Sequence, residues 1–591
     1  MPQPFGPDDF LTSETVPEGF FVADGKIFVG GKKPQFLART FAYLGLARNA
    51  RSSHWEFLLG FNDPDGVGHV VRLPAEHLAG DGKELWKLLL CAGYFPPNSR
   101  EARVSLLNLL RELKSDRRTL IVDRSGWVDG TFKQFVLPGG GTIGGEEEVL
   151  LSENLAGAGR GHGSAGTLAD WQRVIAAPCR DNELLVFVLS AAFASMLLDP
   201  LHMDGGGINL KGRTTAGKTT ALRACVSVWG NQYVIETWRA TDNGLEGIAA
   251  LGNHVLLILD ELGKAKPEVV AQAAYMLANG EGKRRADVEG VAKAARRWQV
   301  LFISSGEVGL REMLAGDMRK AQAGQLVRLV DVPVDGETHG IFSSVPDGMR
   351  PSQFAKALRG GAKTHYGTAG PAFVEALIRS GRLQGIDAEF EQHMGELMRH
   401  VGGHLLNPAQ ERVFERFALI SLAGSLATEF GVTGWGDEEI VKRSVLKFFR
   451  KWREEEDQSS GVSDANAAVA RVREFLLQHE RERFVSANFS VPRHMAGYLD
   501  KEAFYILESV WRDEIHKGYD PVRSARALLD LGFLHREGRN RLKAKVPAGL
   551  NDDRIRAFKV RRNILSEDGE AVDDLNEDEV VSVHGADRPS F

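Results

Sequence analysis

Residues Gly212-Arg213-Thr214-Thr215-Ala216-Gly217-Lys218-Thr219-Thr220 match a glycine-rich phosphate-binding loop at every fixed position. Such a loop wraps a polyphosphate. Its glycines let successive N–H groups turn inward, and the N-terminus of the following helix adds a favourable dipole. All nine residues are therefore expected to bind nucleotide. Lys218 is expected on the β- and γ-phosphates of ATP, and the Thr219 hydroxyl on Mg2+. Downstream, Val255-Leu256-Leu257-Ile258-Leu259-Asp260-Glu261 is an apolar run ending in two carboxylates. A run of this kind reads as a strand buried on both faces of a parallel sheet. Asp260 is expected to hold Mg2+ through water, and Glu261 to orient and polarise the attacking water. An Asp-Glu pair here favours hydrolysis over transfer to a small acceptor.

A second buried strand, Trp298-Gln299-Val300-Leu301-Phe302-Ile303, ends in Ser304-Ser305. In P-loop ATPases with an additional central strand, a polar residue at this strand end lies between the two motifs and senses the γ-phosphate. Ser305, or Ser304 beside it, fills that place. Arg328 enters what should be the last core strand, where a cation can project toward a neighbouring subunit's γ-phosphate. Such an arginine finger is worth about 10³–10⁵ in rate. Arg311, Arg319 and Lys320 compete for that duty, and Arg412 and Arg416 are candidates for a second sensor. Between the acidic strand and the serine strand lies room for a β-hairpin with its turn near Glu289-Gly290. Lys283, Arg284, Arg285 and Lys293 are spaced to line it and to grip the backbone phosphates of threaded single-stranded DNA.

The expected architecture is α/β. Residues 1–165 read as an α+β N-terminal domain, with alternating strands around 41–46, 54–61 and 68–73 and helices near 83–93 and 100–114. The glycine-rich stretch 155–166 reads as a flexible linker. Residues 168–345 hold the ATPase core, and 346–455 a helical lid broken at Gly360-Gly361 and Gly402-Gly403. A polar linker from Arg453 leads to residues 466–565, read as three helices followed by wing strands near 542–546 and 558–562, a winged helix. Residues 566–591 read as a disordered acidic tail.

The chain of 591 residues is too long for one core, and 43% apolar with 26% charged residues describes a globular protein. Three scattered cysteines, Cys91, Cys179 and Cys225, suggest neither a zinc site nor a disulfide framework. The longest apolar run, residues 184–198, fits a buried helix better than a membrane span. The start lacks a basic and an apolar leader region, so a cytoplasmic protein is expected. The net charge of −6 hides an asymmetry: residues 566–591 carry nine Asp/Glu against one Arg, leaving residues 1–565 at +2. Residues 533–565 hold ten Lys/Arg against three Asp/Glu, a basic module that hints at nucleic acid. The tail reads as solubilising or autoinhibitory. It also loosely resembles the acidic, Phe-terminated tails by which bacterial single-strand-binding proteins recruit replication partners.

Several strings together resemble the family called domain of unknown function 927. They are Gly212…Lys218-Thr219-Thr220-Ala221-Leu222, Trp238…Thr241-Asp242-Asn243-Gly244-Leu245-Glu246, Leu259-Asp260-Glu261-Leu262, Ala278-Asn279-Gly280…Gly282-Lys283, Ser304-Ser305-Gly306-Glu307 and Ala323-Gly324-Gln325…Arg328. The resemblance extends upstream to Ser125-Gly126-Trp127 and downstream to Trp511-Arg512-Asp513-Glu514-Ile515. Members are associated with plasmids, phages and other mobile elements. They resemble superfamily 3 and minichromosome-maintenance ring helicases, hexameric AAA+ ATPases with a pre-sensor hairpin and a C-terminal winged helix. The resemblance implies a replicative or self-loading DNA helicase that uses ATP and Mg2+. The chain departs from those relatives in having no zinc ligands in its N-terminal part, and Ser305 where they place Asn. No paired carboxylates in residues 1–165 suggest a primase. Two rival expectations are an origin-binding initiator or loader that does not unwind, and a AAA+ remodeller of proteins.

Overall fold

The computed structural model describes residues 4–152, 155, 158–214, 217–283, 285–286, 292–293, 295–314, 326–401, 406–459, 462–486, 492–537, 541–551 and 555–565. The acidic tail, Thr215, Ala216, Arg284, Arg319, Lys320 and Gly402-Gly403 lie outside them. The chain divides into two compact units, Met1–Trp452 and Arg453–Phe591. Among the described residues no helix is long and apolar enough to cross a membrane.

In the first unit, a five-stranded sheet has the spatial order Glu148–Leu151, Arg118–Val122, Ala42–Asn49, Glu56–Asn62 and Gly68–Pro74. The helices Lys83–Cys91 and Arg100–Glu112 bury Leu85, Trp86, Leu106, Leu109 and Leu110 in a core shared with residues of the adjoining strands. Leu85 and Leu89 are four positions apart, and Leu106 is three from Leu109 and four from Leu110, which lines each set up on one helical face. This part is tied to the rest of the first unit by Ser125, whose hydroxyl donates to the carbonyls of Leu251 and Asn253. The Trp127 N–H donates to His254 Nδ1 at 3.1 Å.

The core sheet is wholly parallel, in the order Glu236–Thr237, Leu257–Asp260, Leu301–Gly306, Gly206–Lys211 and Leu329–Pro333. The apolar runs of the sequence form these strands because both faces are covered. The helix Glu183–Ala194 is buried along its length after Glu183, so the longest apolar run is a core helix. Phe187 stacks on Phe417 at 5.5 Å and meets Phe448 at 5.3 Å. The helices Pro408–Glu429 and Glu439–Ser459 thereby share one apolar core with the sheet.

Three expectations about chain breaks change. The stretch read as a flexible linker is built in where it is described: Asn231 N donates to Gly161 O at 3.0 Å, and Ala165 pairs with Tyr366. Its glycines allow close approach, since a Cβ on Gly159 would lie 2.3 Å from Pro138 O and one on Gly161 2.8 Å from Val234 Cγ2. Gly360 and Gly361 lie inside the continuous helix Pro351–Thr364. Gly361 is there because the helix packs against Val174, whose Cγ1 would be 2.5 Å from an added Cβ. The polar stretch from Arg453 is helical as far as Ser459.

The second unit carries the helices Val462–Arg483 and Pro521–Asp530, with short helical turns over 508–515 between them. Strands form at Ala544–Lys545 and Arg556–Arg561, antiparallel to each other. Four further strands, Phe484–Val485, Gly497–Leu499, Ala503–Ile506 and Leu534–His535, go beyond the two expected wing strands. They are short, and the tight pair at Gly497 is possible only without a side chain, since a Cβ would lie 2.0 Å from Tyr505 O.

Candidate functional site: a phosphate-loop cleft

The loop strand Gly206–Lys211 feeds the glycine-rich turn, and the helix Lys218–Val226 leaves it. Gly217 has φ of 110°, the left-handed region, and a Cβ there would sit 3.0 Å from Ile341 Cγ1, so only glycine serves. The Lys218 ammonium donates to the carbonyls of Gly212 at 2.5 Å and Arg213 at 2.8 Å. Partial burial pushes the Lys218 pKa down, opposed by the negative charges of Asp335, Glu307 and Asp260. Arg213 N donates to the Asp335 carboxylate at 3.0 Å, and the Thr214 hydroxyl to Glu307.

The acidic strand Leu257–Asp260 brings its terminal carboxylate to the same place. Ser305, at the end of strand Leu301–Gly306, donates its hydroxyl to Asp260 Oδ1. That same oxygen accepts the Glu261 N–H at 2.9 Å. Glu261 holds φ 62° and ψ 58°, a left-handed backbone uncommon for a residue with a side chain, and it pairs with Lys264. Strand alternation separates the two serines. Ser304 is fully buried and accepts Trp238 Nε1 at 2.8 Å, whereas Ser305 lines the cleft.

Lys218, Thr219, Thr220, Asp260, Glu261 and Ser305 line one open cleft of about 760 Å³. One residue that the sequence does not single out is Arg359. It comes from the helix Pro351–Thr364, lines the same cleft, and donates to Thr220 Oγ1 at 2.8 Å. Glu307 and Asp335, which hold the loop, were missed as well. Thr219 and Asp260 offer only hydroxyl and carboxylate oxygens, the hard donor set that suits Mg2+.

Arg328 lies elsewhere. Its carbonyl accepts Gly207 N at 2.7 Å, at the edge of the sheet where the strands begin. The phosphate loop is at the edge where they end, with Lys211 paired to Pro333. A strand of that length separates the two by roughly 17 Å. Arg328 Nε donates to Asn279 Oδ1 at 2.9 Å, and its guanidinium stacks 4.3 Å from the Tyr275 ring. Arg412 and Arg416 line the pocket beside it. Arg416 is buried and donates to Val327 O at 3.0 Å, and burial pushes its pKa down to about 10. The expected second-sensor place of Arg412 and Arg416 therefore does not fit their own subunit's cleft. The arginine that lines that cleft is Arg359.

The expected hairpin forms. Arg285–Ala286 pairs antiparallel with Ala292–Lys293, with Arg285 opposite Lys293. At its base Glu281 bridges Arg297. Lys283 is exposed. Arg284, the turn, and the side chains of Arg285 and Lys293 lie outside what the structure describes.

Sheet and site together define a P-loop-type α/β protein in which the serine strand lies between the loop strand and the acidic strand. Residues 23–297 match the family model described as "Domain of unknown function (DUF927)". No curated protein matches the chain. The solved structure "SCCmec type IV Cch - active helicase" is similar at a TM-score of 0.57 and 15% identity. That likeness covers 92% of this chain and 97% of the other, so the fold is shared over nearly the whole length. NtrX from Brucella abortus in complex with ATP aligns at a TM-score of 0.19 and 14% identity, over 48% of this chain and 67% of its own. That is too loose for the folds to be compared.

Proposed function

We infer that the chain is an ATP-dependent DNA helicase of a mobile genetic element, working as a ring on single-stranded DNA. The observation that carries this reading is the convergence of Lys218, Thr219, Asp260, Glu261, Ser305 and Arg359 on one cleft. The helicase fold likeness and the hairpin of Arg285–Ala286 and Ala292–Lys293 support the DNA part. Lys218 and the loop N–H groups bind the β- and γ-phosphates of ATP. Thr219 and Asp260 hold Mg2+, which when bound neutralises phosphate charge. Glu261 orients a water on the γ-phosphorus and takes its proton as the P–O bond to ADP breaks. Ser305 fixes the Asp260 carboxylate, and Arg359 reaches the phosphates from its helix. Catalysis is positioning and charge stabilisation.

Arg328, too far from its own cleft, serves the cleft of the next subunit, which makes the active unit an oligomer, read as a hexamer. Lys283, Arg284, Arg285 and Lys293 contact the threaded strand, and the acidic tail is a place for replication partners. The test is ATP turnover by the purified chain beside Glu261→Gln. Turnover in the wild type and its loss in the variant, with ATP binding kept, support the reading. Equal turnover in both sinks the assignment of Glu261.

One observation favours a second reading, an origin-binding initiator or loader. In the C-terminal unit Arg512, Arg526, Arg541, Lys543 and Arg556 line a pocket of about 620 Å³ together with Trp511, Phe558 and one carboxylate, Glu508, which pairs with Lys543. A groove so cationic suits duplex phosphates. Tight duplex binding without strand separation would move the assignment there.

A further inference from the structure

Glu246 is a carboxylate only 1% exposed, on the helix Asp242–Leu251, and the phosphate cleft makes no use of it. A buried carboxylate persists only where hydrogen bonds or charged partners hold it. Its Oε1 accepts the backbone N–H of Lys283 at 3.0 Å. Gly282 is pressed against it, since an added Cβ would lie 2.9 Å from Glu246 Cδ. These two residues are the root of the hairpin. Gly282 N donates to Arg296 O at 2.9 Å across the root, and the paired strands follow directly.

The start of the same helix is tied to the phosphate cleft. Thr241 caps it by accepting Gly244 N. Three residues earlier, fully buried Trp238 donates to Ser304. Thr237 stands in register with Asp260 in the sheet. Ser304 is the neighbour of Ser305, which bonds Asp260. A helix of ten residues is a stiff rod about 15 Å long. It is therefore held at its start by the strand ends that flank the cleft and along its length by the hairpin root.

We propose that Glu246 is a positioning residue that couples the nucleotide cleft to the hairpin by holding the Lys283 amide. The proposal rests on the nucleotide and DNA assignments above and adds the link between them. A change at the ends of the acidic and serine strands moves Trp238 and the helix, and the Glu246 carboxylate carries the hairpin root with it. The link runs through the oxygen that Glu246 presents to the Lys283 N–H.

The experiment is hydrogen exchange on the full chain with and without a non-hydrolysable ATP analogue, in wild type, Glu246→Ala and Glu246→Gln. ATPase rates with and without single-stranded DNA are measured on the same proteins. In the wild type the analogue slows exchange in the phosphate loop and also, by about tenfold, at the peptide holding Lys283. In Glu246→Ala the loop is still protected, the root response is lost, basal turnover stays within about twofold, and DNA stimulation disappears. Glu246→Gln retains both responses, because its amide oxygen accepts the same N–H. A wild-type root that ignores nucleotide while the loop is protected overturns the proposal alone. So does an alanine variant that behaves as wild type, one that loses basal turnover too, or a glutamine variant as defective as the alanine. If the analogue fails to protect even the phosphate loop, the nucleotide reading fails and this inference with it.

Discussion

Ser305 donates its hydroxyl to the carboxylate of Asp260, joining the ends of two neighbouring parallel strands at the mouth of the phosphate-loop cleft. Removing the hydroxyl leaves Asp260 Oδ1 with the Glu261 N–H but without its side-chain donor. A hydrogen bond to a charged group contributes about 1.5–3 kcal/mol. Ser305→Ala is expected to lower kcat by about tenfold or more with nucleotide affinity little changed. Single-turnover ATP hydrolysis beside a nucleotide-binding titration checks this split. A variant that loses affinity and keeps kcat contradicts it.

Lys218 is the only lysine of the loop, and its ammonium sits over the carbonyls of Gly212 and Arg213. Lys218→Ala is expected to weaken ATP binding by about 10- to 100-fold, the loss of one charge-assisted contact. Titration with a fluorescent ATP analogue reads the change. Binding within twofold of wild type would remove Lys218 from the phosphate site.

Arg328 and Arg359 are separated by the sheet, so their variants should behave differently in mixtures. Arg328→Ala and Glu261→Gln are each expected to be inactive alone. Mixed, they should regain ATPase activity, because some interfaces pair an intact cleft with an intact finger. Arg359→Ala mixed with Arg328→Ala should also regain activity if Arg359 serves its own cleft. ATPase rates across mixing ratios decide it. No recovery at any ratio of Arg328→Ala with Glu261→Gln contradicts the trans placement of Arg328.

Gly360 and Gly361 are adjacent in one helix but face different surroundings. An added Cβ on Gly360 meets nothing within 4 Å, while one on Gly361 meets Val174 Cγ1 at 2.5 Å and Ile175 Cδ1 at 3.0 Å. Gly360→Ala should stabilise by about 0.5–1 kcal/mol through helix propensity. Gly361→Ala should destabilise by about 1–3 kcal/mol through overpacking. Opposite shifts in Tm are the expected result, and shifts of the same sign contradict the packing.

His254 is fully buried where it accepts the Trp127 N–H, and burial pushes its pKa down to about 3. Its folded pKa lies below the unfolded value of about 6.5. The unfolded chain therefore binds the extra proton, and stability falls as pH drops from about 6.5 toward 3. His254→Gln should flatten the acid side of a Tm-against-pH profile. An unchanged slope would show that other groups carry it.

The loop and the acidic strand were legible because each is a contiguous string whose chemistry and secondary structure follow from local order. The serine strand and the hairpin were legible for the same reason. Arg359 was not, because nothing local distinguishes it from its neighbours in the helix Pro351–Thr364. Only tertiary folding brings it to Thr220. Glu307 and Asp335 reach the loop in the same way. The glycines of 158–166 and Gly361 misled for one common reason. Composition cannot tell a glycine that frees the chain from one that lets another surface come close. Arg412 and Arg416 misled because a sequence does not reveal which edge of a sheet a helix faces.

The measurement that bears most directly on the whole account is strand separation on forked duplexes of both polarities, beside ATPase rate with and without single-stranded DNA, with Glu261→Gln as the blank. The account predicts DNA-stimulated turnover together with ATP-dependent unwinding of one polarity, both absent in the variant. ATP turnover that ignores DNA, with forks left intact, would contradict it.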